Sequence, residues 1–184
     1  MIQRRWMPKT TLLIVLPWAL SSLSGCVSAA YTQAKADIAG HRIAASVNIS
    51  EDHLVREVPC EAAVVGIRQR PNFDCVFVES ADRMYWLKYR SADSTYQIEE
   101  EVEIANVSGV ALRALGLNRQ IQLHLGEDII AFHVVGAALV DAKTTVAIYE
   151  QLIAKGVAST EAVGWIDFSS PSAAPMVIAV PAGR

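Results

Sequence analysis

The densest chemistry in the chain is the run Glu99-Glu100-Glu101, followed at once by Glu103. Alternate residues of a β-strand share a face, so Glu99, Glu101 and Glu103 would line up about 7 Å apart, a row suited to a cation or a basic partner. Calcium loops add Asp, Asn and a turning Gly to such carboxylates, and those are missing here, so a solvated strand face is the competing reading. His124 and His133 flank Glu127 and Asp128, residue types that can ligate zinc. With 126–128 as a hairpin loop, the two rings fall on opposite faces and do not converge. No metal is therefore expected, and His133 amid Phe132, Val134 and Val135 reads as a satisfied core histidine. His53, beside Glu51 and Asp52, reads as a helix-surface residue.

The most aromatic segment is Met84-Tyr85-Trp86-Leu87-Lys88-Tyr89-Arg90. As a strand it puts Tyr85 and Tyr89 on one face with Leu87, and Trp86 on the other with Met84 and Lys88. One side suits the core; the other suits a binding patch or bilayer contact, because Tyr and Trp tolerate wet interfaces. The candidate binding residues are thus Tyr85, Trp86, Tyr89, Glu99, Glu101 and Glu103. The sequence has no phosphate-cradling glycine loop, no Gly-x-Ser-x-Gly elbow and no His-Glu-x-x-His pair. No catalytic residue and no cofactor is assigned.

The elements that would position these residues are mostly strands. Short β-branched and aromatic runs at 62–68, 75–79 and 84–89 predict a meander. The alternation of Tyr96, Ile98, Val102 and Ile104 with Gln97, Glu99, Glu101 and Glu103 predicts a further strand, whose apolar face Glu100 interrupts. Ser108 or Asn106 can cap a brief helix through Leu115, ended by Gly116. Ile121, Leu123 and Leu125 alternate again, and 129–140 is an apolar run of buried-strand length. Asp141 is a good cap for the best helix, which carries Val146, Tyr149, Leu152 and Ile153 and stops at Gly156. Strands at 163–168 and 176–180 are expected to close the sheet. Upstream, 29–38 reads as helical up to Gly40, and 48–58 as a short helix ended before Pro59. The fold class is α+β: a mainly antiparallel sheet with one or two helices packed on one face.

At 184 residues the chain is one domain long, and 52% hydrophobic residues suit a packed core. Arg4, Arg5 and Lys9 stand in the first 25 residues without an acid, which leaves 13 bases against 19 acids beyond them. Such an acidic body repels nucleic-acid phosphates, so nucleic acid is discarded as a partner.

Those three bases precede the uncharged run 10–23, the n-region and h-region of a secretory signal. The run is too short to span a bilayer, which takes about 20 apolar residues. Behind it stands Leu23-Ser24-Gly25-Cys26, which resembles the lipobox of bacterial lipoproteins over residues 1–26. The resemblance implies a diacylglycerol thioether on Cys26, removal of the preceding peptide, and acylation, as by palmitate, of the new amino terminus. Several acyl chains give effectively permanent attachment. Val27, standing where the family's inner-membrane retention signal commonly has Asp, favours the outer membrane facing the periplasm. Ordinary cleavage after Ser28-Ala29-Ala30 is the alternative and would discard Cys26.

With Cys26 assigned to lipid chemistry, Cys60 and Cys75 remain as an even pair in a chain bound for an oxidising compartment. They can face each other across a β-hairpin whose turn is 68–72; the alternative is two buried free thiols. The expected organisation is a signal peptide at 1–25, an anchor and short helical tether at 26–47, and one α+β periplasmic domain at 48–184. The leading functional reading is a lipid-anchored, non-catalytic protein-binding or accessory domain in a membrane-associated assembly, with an envelope protein as partner. A periplasmic hydrolase and a small-ligand or lipid carrier are the alternatives.

Overall fold

A computed structural model describes residues 36–50, 53–136, 139–168 and 177–178; the lipobox, the signal peptide and Ser28–Ala30 lie outside them. Seven strands, β1 (Arg56–Val65), β2 (Arg70–Glu79), β3 (Arg83–Arg90), β4 (Thr95–Glu103), β5 (Gly109–Leu115), β6 (Asn118–Leu125) and β7 (Asp128–Val134), form one sheet in the order β4-β3-β2-β1-β7-β6-β5. Every pairing is antiparallel. Two meanders, β1 to β4 and β5 to β7, are thus joined along β1 and β7. Helix α1 (Ala36–Val47) precedes the sheet, and α2 (Ala142–Ala154) follows it. The class is α+β, dominated by the sheet.

β1 has a strand on each side and apolar residues toward both faces, which is why its sequence reads as a continuous apolar run rather than an alternation. Cys60, Ala62 and Val64 join the larger core, while Ala63 and Val65 join a second cluster on the opposite face. In the larger core Phe77, Trp86 and Phe132 meet with ring centroids 4.9 to 5.4 Å apart, and Ile148 and Leu152 of α2 close over Ile121 and Leu123. On the other face Ile43 and Val47 of α1 cover Val76, Val78, Tyr85, Leu87 and Tyr96. The two helices therefore pack on opposite faces, not on one: the strands are apolar on both sides, and each side needs a cover. The boundary expected at residue 48 falls at the end of a helix already packed on the sheet.

The segment beyond α2 covers the rest of the outer face. Ile166 and Phe168 lie on Ala63 and Ala131, whose small side chains let the chain approach closely. Gln120 and Gln122 of β6, both fully buried, hold this strap by its backbone. Gln120 accepts from the Ile166 amide (3.1 Å) and donates to its carbonyl (2.8 Å). Gln122 accepts from the Val163 amide (3.0 Å) and donates to the Gly164 carbonyl (2.6 Å). Two side-chain amides thus stand in for a neighbouring strand. Trp165–Ile166 pairs only with Val177–Ile178 in a separate two-stranded sheet, so the last two strands do not extend the main sheet as expected.

Other expectations are corrected. Residues 109–115 are strand β5 rather than a helix, paired along β6 from Gly109 opposite His124 to Leu115 opposite Asn118. Gly116, with φ +59, turns that hairpin instead of ending a helix. The apolar run 129–140 leaves the strand after Val134. Helix α1 runs through Gly40, Asn48 with φ 55 terminates it, and Pro59 lies inside β1 rather than beyond a helix. As expected, Asp141 caps α2 by accepting from the Thr144 amide at 3.0 Å.

Cys60 and Cys75 sit directly opposite in the β1–β2 ladder and form a disulfide, with Cα atoms 5.1 Å apart. Closing the 15-residue separation stabilises by about 3 kcal/mol in the chain-entropy account. Replacing both cysteines by alanine is expected to lower the unfolding free energy by that order, to lower the urea midpoint accordingly, and to steepen the transition, because the uncrosslinked unfolded chain exposes more surface. An unchanged midpoint would show that the bridge contributes nothing.

Candidate functional site

The aromatic strand is spent largely on the core. Trp86 is fully buried against Phe77 and Phe132, and Tyr85 lies beneath α1, where burial and then Glu101 push its hydroxyl pKa up. Tyr89 is half-buried against Tyr96, ring centroids 5.3 Å apart. None of the three offers a broad exposed aromatic face.

The carboxylates are divided by a β-bulge. Trp86 faces Glu100 and Leu87 faces Ile98, which leaves Glu99 as the extra residue of β4. The bulge reverses the alternation, so that Tyr96 points to the α1 face while Glu100 and Val102 point inward. Glu99 consequently does not continue the row of Glu101 and Glu103. Those two, exposed, share Arg83, which forms an ion pair with each. Glu99 accepts from Arg70 at 2.8 Å. Glu100, the residue that interrupts the apolar alternation, is buried and paired to Arg68 at 3.2 Å and Arg70 at 3.6 Å.

Arg68 also reaches Asp128, its backbone amide donating to Oδ1 at 3.0 Å and its Nε to Oδ2 at 2.6 Å. These bonds, the guanidinium first and the amide second, hold the Asp128 carboxyl below the usual carboxylate range. Gly66 makes this approach possible. At φ +132 it takes a conformation side chains avoid, and a Cβ there would collide with the Glu127 carbonyl and the Asp128 carboxylate. The network ties the β1–β2 turn to the adjoining β6–β7 hairpin and to β4, which is not its neighbour in the sheet.

The histidines take a different register from the one expected. Gly126 and Glu127 make a two-residue turn with Leu125 opposite Asp128, so His124 faces Ile129 rather than Ile130. His124 and His133 therefore share the outer face, separated along it by most of β7. Burial pushes the His124 pKa down. His133 is a core histidine: buried between the sheet and the strap, with Phe168 4.9 Å from its ring and its Nε2 3.2 Å from Glu61. A His–carboxylate pair could serve acid–base chemistry, but this one lies beneath the strap and lines neither of the two clefts that adjoin Glu103. Among the described residues no group of three or more His, Cys, Asp or Glu is placed to hold a metal ion.

A cleft of about 550 Å³ opens between the β2–β3 turn, the end of β4 and the end of α2, lined by Asp82, Glu103, Ile104, Val107 and Lys155. Lys155 is committed to the protein. Its Nζ donates to fully buried Glu79 at 2.7 Å and to the carbonyls of Ser80 and Ala81 at 3.2 Å. Gln151 also donates to Glu79, at 2.9 Å. The pair clamps α2 to the β2–β3 turn. Sequence patterning gives no sign of the clamp, and little of Arg68 and Arg70; only the carboxylate at Glu100 in an apolar alternation calls for a cation.

No family model matches the chain, and no curated protein does. Among solved structures the chain is similar to one of the Vav1 exchange factor with its PH and C1 domains, at 11% identity and TM-score 0.41, over 55% of this chain and 25% of that one. It is similar also to the PDZ-RhoGEF DH/PH domains in complex with activated RhoA, at 14% identity and TM-score 0.38, over 56% and 30%. The hSac2 domain of a human phosphoinositide phosphatase gives 12% identity and TM-score 0.40, over 82% and 99%. The chain thus spans a quarter to a third of the exchange-factor structures. Likeness at this level carries no argument about function.

Two outcomes test the electrostatic clamps. Lys155→Ala strands a buried carboxylate and is expected to lower stability by about 3 kcal/mol in denaturant titration. The double change Glu79→Gln, Lys155→Met should cost less than the single one. Asp128 stabilises the fold above its unfolded pKa of about 4, and that contribution fades as pH falls through its lower folded value. Asp128→Asn should therefore lower the melting temperature at pH 7, and the gap to the unaltered chain should narrow below about pH 4.

Proposed function

We propose that the chain is an exported lipoprotein, held to a membrane through Cys26, whose body is a non-catalytic module that binds another envelope protein. Leu23-Ser24-Gly25-Cys26 behind a basic and apolar leader supports the anchor, and the Cys60–Cys75 disulfide suits an oxidising compartment. Val27 favours the outer membrane with the body in the periplasm.

The observation that carries the binding role is the state of β4. Most other surfaces of the sheet are spent: α1 and the strap cover the outer face, and α2 lies across the inner one. β5 takes up the strand-like segment 157–160, the Val110 amide donating to Ala158 and its carbonyl accepting from Thr160. Among the described residues β4 has a strand on one side only, and it carries exposed Gln97, Glu101 and Glu103. An extended partner segment can add to such an edge through its main chain, with basic side chains meeting the carboxylates.

A photocrosslinking residue at Gln97 in the full chain, activated in intact membranes, should give one dominant protein adduct. Glu101→Gln with Glu103→Gln should reduce that adduct severalfold while costing only the small contribution of two exposed ion pairs to Arg83 in melting temperature. No adduct at β4, together with a small molecule retained on purification, would favour a ligand carrier and overturn this reading.

A further inference from the structure

A second cleft, of about 370 Å³, touches the consecutive residues Glu101, Val102 and Glu103 together with Leu125, Asn106 and Arg68. Consecutive strand residues point to opposite faces, so a cleft that meets all three runs along the edge of β4 rather than over either face. β3 occupies one edge of β4, and the far wall of the cleft comes from other parts of the chain: Leu125 ends β6, and Asn106 ends the short turn that leaves β4. Arg68 closes one end, its guanidinium 3.2 Å from Glu100 of β4 and 2.6 Å from Asp128 of β7. The sheet thus curls until its β6–β7 hairpin stands one arginine away from the β4 edge.

The two faces of this edge differ in character. Inward, buried Val102 and half-buried Leu125, both packed with the larger core, give the cleft an apolar floor. Outward, Glu101 and Glu103 are exposed and share the single cation Arg83. The wider charge has the same sign, because Glu99, Glu100, Glu101, Glu103 and Asp128 meet only Arg68, Arg70 and Arg83: five carboxylates against three guanidiniums. On the adjoining strands and turns Asp82, Glu127 and Lys88 add two acids and one base. Arg90 and Asp93 pair with each other, and Arg42 of α1 lies at the other end of β4, donating to the Ser94 carbonyl.

We infer that the protein segment accepted by β4 carries an aliphatic residue between two basic ones, the basic side chains meeting Glu101 and Glu103 and the aliphatic one entering the cleft on Val102 and Leu125. This pattern deepens the reading of β4 as a docking edge and rests on it. A strand added to an edge keeps the period of two in either chain direction. Side chains opposite Glu101 and Glu103 therefore share the outer face, and the one between them turns inward. Like charges set opposite one another destabilise a strand pair, so a second copy of β4, which brings its own carboxylates, does not fit. The bulge at Glu99 and the Arg68 bridge at Glu100 end the pairing before residue 101, which leaves a recognition stretch three residues long.

The test uses the full chain in detergent and fluorescein-labelled peptides of Gly and Ser whose centre is Lys-Val-Lys, Val-Lys-Lys, Lys-Asp-Lys or Glu-Val-Glu, with binding read as anisotropy. Lys-Val-Lys should bind severalfold more tightly than Val-Lys-Lys, which has the same composition, and than Lys-Asp-Lys; Glu-Val-Glu should not bind. Glu101→Gln with Glu103→Gln should remove most of the preference for lysine over glutamate. Leu125→Ser should remove the preference for valine over aspartate, and Asn106→Trp, which fills the cleft from its exposed wall, should abolish binding without disturbing the core. In intact membranes a photocrosslinker at Asn106 should give the same adduct as one at Gln97, joined to a segment with the basic-aliphatic-basic pattern. No binding of any peptide, equal binding of Lys-Val-Lys and Val-Lys-Lys, or an adduct at Gln97 with none at Asn106 overturns the inference and leaves the docking edge standing. No adduct at either position overturns both.

Discussion

The body depends on one requirement: a sheet whose central strand is apolar on both sides must be covered on both sides. β1 places Cys60, Ala62 and Val64 toward one face and Ala63 and Val65 toward the other, and neither set can be left in water. Burying a valine is worth about 1.5 kcal/mol or more and an alanine methyl about 0.8 kcal/mol, and summed over the strands that flank β1 the exposure of either face would remove much of the marginal stability of a small domain. The rest of the chain answers this demand. Sheet curvature and α2 close the inner face; α1 and the Gln-held strap close the outer one.

That covering leaves the polar chemistry occupied with structure. Glu79, Glu100 and Asp128 are all buried, and each is met by a cation from a distant element: Lys155 from α2 for the first, and arginines from the β1–β2 turn for the others. Buried charges of this sort cost about as much to desolvate as they return, so their use lies less in stability than in fixing which elements meet. Arg68 and Gly66 set the β1–β2 turn against the β6–β7 hairpin, and Lys155 sets α2 against the β2–β3 turn. Among the described residues this leaves β4 as an edge strand with exposed Gln97, Glu101 and Glu103.

Much of this was legible in the sequence where local chemistry decides the outcome. The β-rich character, the hairpin that brings Cys60 to Cys75, the Asp141 cap and the burial of His133 follow from local patterning, although the His133 Nδ1, buried without a hydrogen-bond partner among the described residues, departs from the satisfied core histidine expected. The failures have a common cause. Residues 109–115, Gly-Val-Ala-Leu-Arg-Ala-Leu, include good helix formers, and only pairing with β6 makes them a strand. The bulge at Glu99 moves one residue and thereby splits a carboxylate row that a regular strand would have kept. Gln120 and Gln122 alternate with Ile121 and Leu123 as any half-exposed strand would, and nothing local shows that they lie under a strap forty residues downstream. The Lys155–Glu79 clamp, across 76 residues, is equally invisible to periodicity.

The proposed function turns on one atom, the Cys26 sulfur, through which we propose that the folded body is held to a membrane outside the cytoplasm. Intact mass of the native protein extracted from membranes tests it most directly. The account predicts a chain beginning at Cys26 and heavier than its peptide by a diacylglyceryl group, with a further acyl group on the amino terminus. A chain beginning at Tyr31, with no added lipid mass, would contradict it.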